Sequence, residues 1–360
     1  MTPLLHGLKT DAPRLESLRP PVAMPGGEVE LSGAGLQGHG SGSGVLPSVM
    51  VGDTPAYLAL SRPGRTVIRI PEGTISGDVV LAVGEGSRLA SMSNPLTLRV
   101  AVPMAENLHP VANPAVDTDG NVYATVSGGR GQSVPVSIFS IATDFQVRPF
   151  VRDVLNATGL AFGPDGYLYV SSRAEGTVYR VSPEGAVSTY AEGMGVATGI
   201  AFDRDGNLYV GDREGTIFKV GPDKGPLVDK ETFVYATLEP SVAAYHLAFN
   251  DEGVLFVTGP TTSSNQAVYA IDRDGRTTVF YQGLGRAQGM ALDVDGNLYV
   301  AASLEGQRGI VKITPKREAS LAVSGNNLVG LAFLEDGCAA LATRDALFHV
   351  AMEIEGRRLV

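Results

Sequence analysis

The stretch TGIAFDRDGNLYVGD, residues 198–212, joins a short apolar run, an Asp-Gly pair and a second run in which apolar and polar residues alternate. Asp-Gly favours tight two-residue turns because such turns need positive φ angles, so the stretch predicts a β-hairpin. Five similar stretches begin at residues 113, 158, 245, 288 and 329. The six Asp-Gly or Glu-Gly pairs start at residues 119, 165, 205, 252, 295 and 336, so the unit repeats every 40 to 47 residues.

Each hairpin is followed by further strand-like runs. TIFKV (216–220) and ETFVYATL (231–238) follow the quoted stretch, and similar runs follow most of the others. A period in the forties made of short strands is typical of a β-propeller blade, so the six repeats predict a six-bladed β-propeller over residues 113–360. Residues 102–112 are predicted to be a linker that leads into the propeller. The sequence leaves open whether GRRLV at the C-terminus or residues near 101–106 close the ring.

Two residue patterns recur inside the hairpins. Aromatic residues occupy matched places on the second strand, where we expect them to pack between blades, at Tyr123, Tyr169, Tyr209, Phe256 and Tyr299. The string D-x-D-G-N recurs at residues 117–121, 203–207 and 293–297. Carboxylates spaced in this way can share a calcium ion, but an EF-hand loop has glycine at its sixth position, where these strings have Val122, Leu208 and Leu298. We therefore expect plain hairpin turns.

The repeats resemble those of the NHL and gluconolactonase-like six-bladed propellers, the superfamily that includes the senescence marker protein/gluconolactonase enzymes. The resemblance covers residues 107–360. It implies hydrolysis of lactones or related esters with a divalent cation held in the central channel by Glu and Asn or Asp side chains. The equivalent positions in this chain are Ala112, Thr158, Thr198, Tyr245, Gln288 and Val329. None is a carboxylate, whereas a hard cation prefers charged oxygen ligands, so we predict no metal site and no cofactor, with a divalent cation only if the hydrolase alternative holds.

Residues 12–101 contain short alternating runs separated by Gly and Pro, such as TVIRIPEG and GDVVLAVGEG, a pattern typical of a small β-sandwich. The segment resembles an IPT/TIG domain, an immunoglobulin-like module, in its proline-then-glycine opening and its Pro-Glu-Gly turn. Residues 1–11 are predicted to be a tail. The chain as a whole is therefore predicted to be all-β, with an N-terminal immunoglobulin-like β-sandwich followed by the six-bladed β-propeller.

The chain has 360 residues and a net charge of −10. Its first 100 residues contain as many basic as acidic residues, so the negative charge lies in the remainder. Nucleic-acid binding needs a basic surface, so we expect no nucleic-acid partner. The opening MTPLLHGLKTDAP lacks the pattern of a secretory signal, and no stretch reaches the ~18 apolar residues of a membrane span. A cytoplasmic protein without a membrane span is therefore predicted.

Chain direction in a four-stranded blade sends the hairpin turns to one face and the loops between the second and third strands to the other. The turns carry acidic residues, whereas the loops carry Arg130, Arg173, Arg213, Arg286, Arg308 and Arg344. A positively charged face attracts anions, and we predict a small anionic ligand or an acidic protein surface bound by Arg130, Arg173, Arg213 and Arg308. The alternative is that these arginines are solvated and paired with nearby carboxylates, which contributes little.

The first strand of each blade is expected to line the central channel. One position after the metal-equivalent site, four repeats have glycine, whereas the first and fourth have Asn113 and His246. These two blades are opposite in a six-blade ring, so the two side chains are expected to face across the channel. His246 is a candidate general base because an unperturbed imidazole titrates near neutrality, and the alternative is that it hydrogen-bonds a neighbouring blade. The ligand-binding residues predicted here are His109, Asn113, Asn156, Thr158, Thr198, Tyr245, Gln288 and Asn326.

Three functions remain open at this point. The first is a binding protein that recognises an anionic ligand or an acidic partner on its arginine-rich loops. The second is a gluconolactonase-like hydrolase of lactones or esters with an atypical channel site. The third is a metal-assisted lyase of the kind found on related propellers, with His246 as base. We favour the first because the metal-binding carboxylates are missing.

Overall fold

The computed structural model describes residues 12–37, 46–84, 91–222 and 230–357, so the predicted tail at residues 1–11 lies outside the described residues. Two compact units result, Met1–Ala101 with Val323–Gly325 and Val102–Ala322 with Asn326–Val360. Apart from one 3₁₀ turn at Glu335–Gly337, the regular structure of the described residues is β-strand, and the chain is all-β as predicted. No part of the described chain forms a helix with the length and hydrophobicity that a membrane span needs.

The described part of the first unit contains two sheets. Its strands are β1 (Arg14–Arg19), β2 (Val22–Ala23), β3 (Glu28–Ala34), β4 (Ser48–Val51), β5 (Thr54–Pro55), β6 (Tyr57–Arg62), β7 (Arg65–Arg69), β8 (Gly77–Val83), β9 (Ser91–Met92) and β10 (Leu96–Val100). One sheet has the order β1-β3-β7-β6 and the other β2-β10-β8-β4-β5, with β9 beside β8. Leu31 and Ile68 of the first sheet share one buried core with Leu81 and Leu98 of the second. This core explains the alternation of apolar residues, since only every second side chain of a strand faces it.

The second unit begins with β11 (Val102–Glu106) and continues with strands that pair in fours. Sheet 1 contains β12 (Ala115–Val116), β13 (Val122–Thr125), β14 (Ile138–Ile141) and β15 (Val147–Val151). Sheet 2 contains β16 (Ala157–Phe162), β17 (Leu168–Ser172), β18 (Thr177–Val181) and β19 (Val187–Ala191). Sheet 3 contains β20 (Ala197–Phe202), β21 (Leu208–Asp212), β22 (Thr216–Val220) and β23 (Thr232–Thr237).

The remaining strands follow the same pattern. Sheet 4 contains β24 (His246–Phe249), β25 (Leu255–Thr258), β26 (Gln266–Ile271) and β27 (Thr277–Gly285). Sheet 5 contains β28 (Met290–Leu292), β29 (Leu298–Leu304), β30 (Gln307–Ile313) and β31 (Ala319–Ser324). Sheet 6 contains β32 (Leu328–Phe333), β33 (Cys338–Thr343), β34 (Ala346–Ala351) and β11. The end of β27 also pairs with β29, with Leu284 opposite Leu304 and Gly285 opposite Ser303, so sheets 4 and 5 are hydrogen-bonded to each other. Each quoted repeat supplies the first two strands of one sheet.

Sheet 6 is completed by residues from before the first repeat. Strand β11 pairs antiparallel with β34, with Val102 opposite His349 and Glu106 opposite Ala346. Of the two closures that the sequence left open, the structure has the one made by residues near 101–106. Joining the two ends of the second unit in one sheet gives β34, which would otherwise be an exposed edge, a hydrogen-bonded neighbour.

The D-x-D-G-N strings form hairpin turns in which the first aspartate is a hydrogen-bond acceptor. In sheet 3, Asp203 Oδ1 accepts from the N–H groups of Asp205 (3.0 Å) and Asn207 (2.9 Å), and Oδ2 accepts from the Tyr209 hydroxyl (3.1 Å). Asp117 and Asp293 make the same contacts in sheets 1 and 5. N–H and O–H donors surround these carboxylates, and this arrangement fits the hairpin-turn interpretation rather than a cation site.

The aromatic residue on the second strand joins its own sheet to the next one. The Tyr209 ring packs edge-on against Tyr235 of sheet 3 (centroids 4.9 Å apart) and Phe249 of sheet 4 (4.8 Å). Tyr169 does the same with Tyr190 of sheet 2 and Phe202 of sheet 3. Burial and the neighbouring Asp203 raise the pKa of Tyr209, so its hydroxyl stays a donor. Edge-to-face packing and a satisfied hydroxyl therefore occur at the same residue.

Candidate functional site

The six sheets of the second unit have two distinct ends. We call the end with the turns between first and second strands the turn end, and the opposite end, with the loops between second and third strands, the loop end. The first strands, β12, β16, β20, β24, β28 and β32, are the inner strands, and each begins at the loop end. The predicted channel residues and the predicted arginines both belong to the loop end.

Glycines are needed where neighbouring inner strands approach each other. A Cβ atom on Gly199 would lie 2.2 Å from the Tyr245 carbonyl oxygen. On Gly289 it would lie 2.1 Å from Asn113 Oδ1 and 2.5 Å from the Gly330 Cα. Real side chains do not make such contacts, so a substitution there requires a backbone shift. The glycine pattern in the repeats reflects this close approach.

Asn113 and His246, the two exceptions to the glycine pattern, have different surroundings. Asn113 Nδ2 donates to the Met290 carbonyl (2.7 Å) and Oδ1 accepts from the Leu331 N–H (3.2 Å), so its amide joins sheet 1 to sheets 5 and 6. The His246 side chain is buried, with 3% of the residue exposed, and makes no hydrogen bond to any described residue. Burial lowers the pKa of His246 to about 3, so the imidazole is neutral. The hydrogen bond to a neighbouring blade, expected as the alternative role of His246, is absent from the described residues.

Most of the other predicted channel residues make hydrogen bonds between sheets. Thr198 Oγ1 donates to the Gly211 carbonyl (2.8 Å) and accepts from the Tyr245 N–H (3.1 Å). Gln288 Nε2 donates to the Leu328 carbonyl (3.0 Å), which links sheets 5 and 6. Thr158 Oγ1 donates to the Asn156 carbonyl (2.9 Å), and the Tyr245 hydroxyl to the Glu239 carbonyl. All four side chains are buried.

This donor set does not fit a divalent cation. The equivalents of the metal ligands are two hydroxyls, an amide and a phenol already bound to backbone groups, together with Ala112 and Val329. Within the described ranges, no three His, Cys, Asp or Glu side chains form a group that could hold a metal ion. A cation at this level would have neutral ligands only, against the preference of hard cations.

A second group of predicted residues surrounds the loop of residues 128–131, between strands β13 and β14. Asn156 Oδ1 accepts from the Gly131 N–H (2.7 Å), and Nδ2 donates to the carbonyls of Gly129 (2.9 Å) and Gly128 (3.1 Å). Asn156 itself has a φ of 48°, a conformation that Asn tolerates better than most residues. One side chain thus fixes the conformation of the loop that carries Arg130.

Arg173 contacts the same loop. Its Nη2 donates to the Gly128 carbonyl (2.8 Å), whereas its Nε is buried without a hydrogen-bond partner. Burial lowers the pKa of the Arg173 guanidinium, and the positive charge of Arg213 lowers it further. The carboxylates adjacent in sequence have other partners: Asp212 accepts from the N–H groups of Val196 and Glu214, and Glu175 accepts from the hydroxyls of Ser172 and Tyr179.

Comparison with known proteins bears on the fold. No family model matches the chain, and no curated protein matches it. Among solved structures, a gluconolactonase from Xanthomonas campestris has a TM-score of 0.56 at 15% identity, over 70% of this chain and 88% of that protein. A protein of unknown function from Bacteroides thetaiotaomicron (TM-score 0.55, 14% identity) and an auxiliary nutrient binding protein from Bacteroides ovatus (TM-score 0.51, 12% identity) each match over 95% of this chain and 98% of their own.

The chain contains a β-propeller. At these identities the similarity concerns the fold alone. The four-stranded sheets of the second unit make up the β-propeller, and we refer to that unit below as the propeller.

The two ends of the propeller differ in ion pairing. Five ion pairs between described residues lie at the turn end: Arg180–Asp165, Lys219–Asp203, Arg204–Asp251, Arg357–Asp251 and Arg276–Asp274. No ion pair between described residues involves an arginine of the loop end. The loop-end arginines are Arg130, Arg173, Arg213, Arg286, Arg308 and Arg344. The carboxylate pairing expected as their alternative role is therefore not seen in that part of the chain.

The C-terminal segment, residues 352–357, crosses the turn end of the propeller. The Val294 N–H donates to the Glu355 carbonyl (3.0 Å), and the Arg357 N–H donates to the Leu292 carbonyl (3.0 Å). The Arg357 side chain continues to Asp251 of sheet 4 (2.8 Å). This segment ties sheets 4, 5 and 6 together at the turn end.

The remaining predicted site residues are exposed at the loop end. His109 pairs with Val126 through the backbone, and its carbonyl accepts from the Ser127 N–H (3.3 Å). Arg308 lies on the β29–β30 hairpin and Asn326 just before β32. Sequence reasoning missed Ser127, which has 3% of its surface exposed and whose hydroxyl is buried without a partner. The string SGGRG that begins at Ser127 indicates a loop but carries no sign of an unpaired hydroxyl.

Proposed function

We propose that this protein is a binding protein whose propeller takes a small anionic ligand at its loop end, at the group formed by Arg130, Arg173 and Arg213. In this proposal the six four-stranded sheets are six blades, and β11 closes the ring. The first unit is an immunoglobulin-like β-sandwich of the IPT/TIG kind. The resemblances that favour these finer assignments are those of the repeats and of the first hundred residues.

The observation that carries the proposal is the unbalanced charge at Arg173 and Arg213. Two like charges lie close enough for one to disfavour the ionised form of the other, and no described carboxylate offsets them. Partial burial increases the cost of the Arg173 charge. A bound anion would relieve both effects, and arginine suits this role because its planar guanidinium binds carboxylate and phosphate oxygens in pairs.

Isothermal titration calorimetry with inorganic phosphate and with malonate tests the proposal. We expect binding by the wild-type protein, and at least a tenfold loss of affinity in Arg173→Gln and in Arg213→Gln. Arg276→Gln is the matched control because it removes an exposed arginine that pairs with Asp274 at the turn end, so its affinity should equal that of the wild type. Equal affinity in all three variants, or no binding by the wild type, would contradict the proposal.

An acidic protein surface is the other ligand that the arginines favour. A surface of that kind would contact many exposed arginines at once, including Arg308 and Arg344. The calorimetric titration distinguishes a small anionic ligand from an acidic protein surface. If the natural ligand is a protein surface, phosphate and malonate should bind weakly, and their affinity should not depend on Arg173.

A gluconolactonase-like hydrolase is the second candidate function, favoured by the shared fold with a gluconolactonase and by the unpaired, neutral imidazole of His246. Two observations oppose a hydrolase function: the metal ligands are missing, and the low pKa of His246 makes its imidazole a weak base. Hydrolysis of a panel of lactones, with Ca²⁺, Mn²⁺ or Zn²⁺ added and with His246→Gln as comparison, decides the matter. Absence of turnover in every combination would eliminate this candidate and the related metal-assisted lyase.

A further inference from the structure

Two residues that meet at Gly128, at the loop end, each have a buried polar atom without a partner. Arg173 donates through Nη2 to the Gly128 carbonyl (2.8 Å), while its Nε has no acceptor. Ser127, the residue before Gly128, is nearly fully buried, and its hydroxyl also has no partner. Buried polar groups are nearly always hydrogen-bonded in folded proteins. Of the five such atoms without a partner in the described residues, these two are the pair at the loop end, and their residues meet at one loop.

We infer that Ser127 and Arg173 form an oxyanion subsite, with Arg213 as the second positive charge, so that the ligand of the propeller carries a carboxylate or phosphate group. This inference rests on the proposed function and names the ligand chemistry. Both groups can act as donors, and Nε–H can act in no other way. An acceptor is therefore required at Arg173 Nε, and a ligand with two or more acceptor oxygens can also reach the Ser127 hydroxyl. The oxygens of a carboxylate or phosphate meet this requirement, whereas a halide offers only one centre.

The neighbouring loop determines how such a group gains access. In this structure the Ser127 hydroxyl and Arg173 Nε are buried, so a ligand reaches them only if neighbouring residues shift, and residues 128–131 adjoin both residues. Three of these four residues are glycines, and glycine accommodates backbone changes with the least steric resistance. Asn156 holds the loop through its three hydrogen bonds, which makes it a positioning residue for Arg173.

Calorimetric titration of Ser127→Ala tests the subsite, with acetate and inorganic phosphate as the two oxyanion probes and bromide as the probe without oxygen. We expect Ser127→Ala to bind the preferred oxyanion at least fivefold more weakly than the wild type and to leave the weak bromide binding unchanged. The preferred probe distinguishes a carboxylate ligand from a phosphate ligand. Ser61→Ala is the matched control, because the Ser61 hydroxyl is likewise buried without a partner but belongs to the first unit.

The possible results separate the two proposals. If the wild type binds oxyanions and the arginine variants weaken binding, but Ser127→Ala binds as the wild type does, the subsite is wrong and the binding function stands. An ordered water molecule between Ser127 and Arg173 would give that result. If the wild type binds neither acetate nor phosphate, the proposed function and the subsite both fail. If Ser127→Ala unfolds at the same temperature as the wild type, a folding defect is excluded as the cause of weaker binding. A lowered affinity in Ser61→Ala would also overturn the inference.

Discussion

The turn end and the loop end of the propeller are built from the same residue types but differ in how those residues are paired. At the turn end, Asp203 and Asp293 each accept several hydrogen bonds, and the basic side chains that pair there have carboxylate partners. At the loop end, Arg173 and Ser127 keep buried donors without partners, and Arg213 has no described counter-ion. The turn end also has a buried atom without a partner, Arg180 Nε, but the charge of Arg180 is balanced by Asp165. The two ends therefore differ in charge balance, and an unbalanced buried charge lowers stability and persists where it serves binding.

The largest effect is expected at the turn end. Asp293, with 4% of its surface exposed, accepts from two backbone N–H groups, the Asn297 amide and the Tyr299 hydroxyl. Asp293→Ala leaves these donors unpaired, which should lower the free energy of unfolding by about 3 kcal/mol or more. Urea denaturation measures this, with the exposed Asp274→Ala as control. If Asp293→Ala weakened anion binding while the protein stayed folded, the division between the two ends would break down.

The next effect concerns pH and the buried His246. Because burial lowers its pKa to about 3, the folded protein keeps His246 neutral while the unfolded chain takes up a proton below about pH 6.5. Its contribution to stability is therefore complete above that pH and is lost as the pH falls from 6.5 toward 3, by about 1.4 kcal/mol per unit. His246→Gln removes this dependence.

Urea denaturation of the wild type and of His246→Gln between pH 7 and 4.5 measures the difference, since carboxylates contribute equally to both proteins. The two should diverge by about 2.5 kcal/mol over this interval. Parallel curves would show that folding does not lower the pKa of His246, which would contradict the burial of its side chain.

Asn156 provides a smaller test at the loop end. Asn156→Gly keeps a residue that tolerates the φ of 48° but removes all three hydrogen bonds to residues 128–131. We expect a loss of about 1 kcal/mol or more of unfolding free energy and weaker anion binding, because Gly128 no longer holds Arg173 in place. Gly193→Ala, at a position with a φ of 77° and open space around it, is the control for backbone effects alone and should leave anion binding unchanged.

The smallest expected change in stability comes from Arg213→Glu, which tests directly whether charge pairing distinguishes the loop end from the turn end. Arg213→Glu would give Arg173 the carboxylate partner that turn-end arginines have. The free energy of unfolding should rise by about 0.5 kcal/mol, and anion binding should disappear. Thermal unfolding and calorimetry measure both, with Arg213→Gln as the neutral control. A fall in stability would show that the charge of Arg213 is already balanced.

Those parts of the fold that depend on residues close together in the chain are predictable from the sequence. The hairpins, the strand order within sheets and the inner glycines follow from residue patterns within one repeat, and the structure has them in place. The hydrogen bonds of Asn113 were not predictable, because Met290 and Leu331 lie far away in the chain. The prediction that Asn113 and His246 share a ligand site stays a prediction, and so do the ligand roles of Thr158, Thr198, Tyr245 and Gln288.

By itself, the sequence determined the all-β fold and the repeat, because turn chemistry and apolar alternation act over a few residues. Only the tertiary structure decided which chain end completes sheet 6, which polar groups remain unpaired and which arginines lie near one another. Ser127, Arg173 and Arg213 come from three different sheets. Whether a polar group has a partner depends on everything packed around it, and a single repeat contains only part of those surroundings.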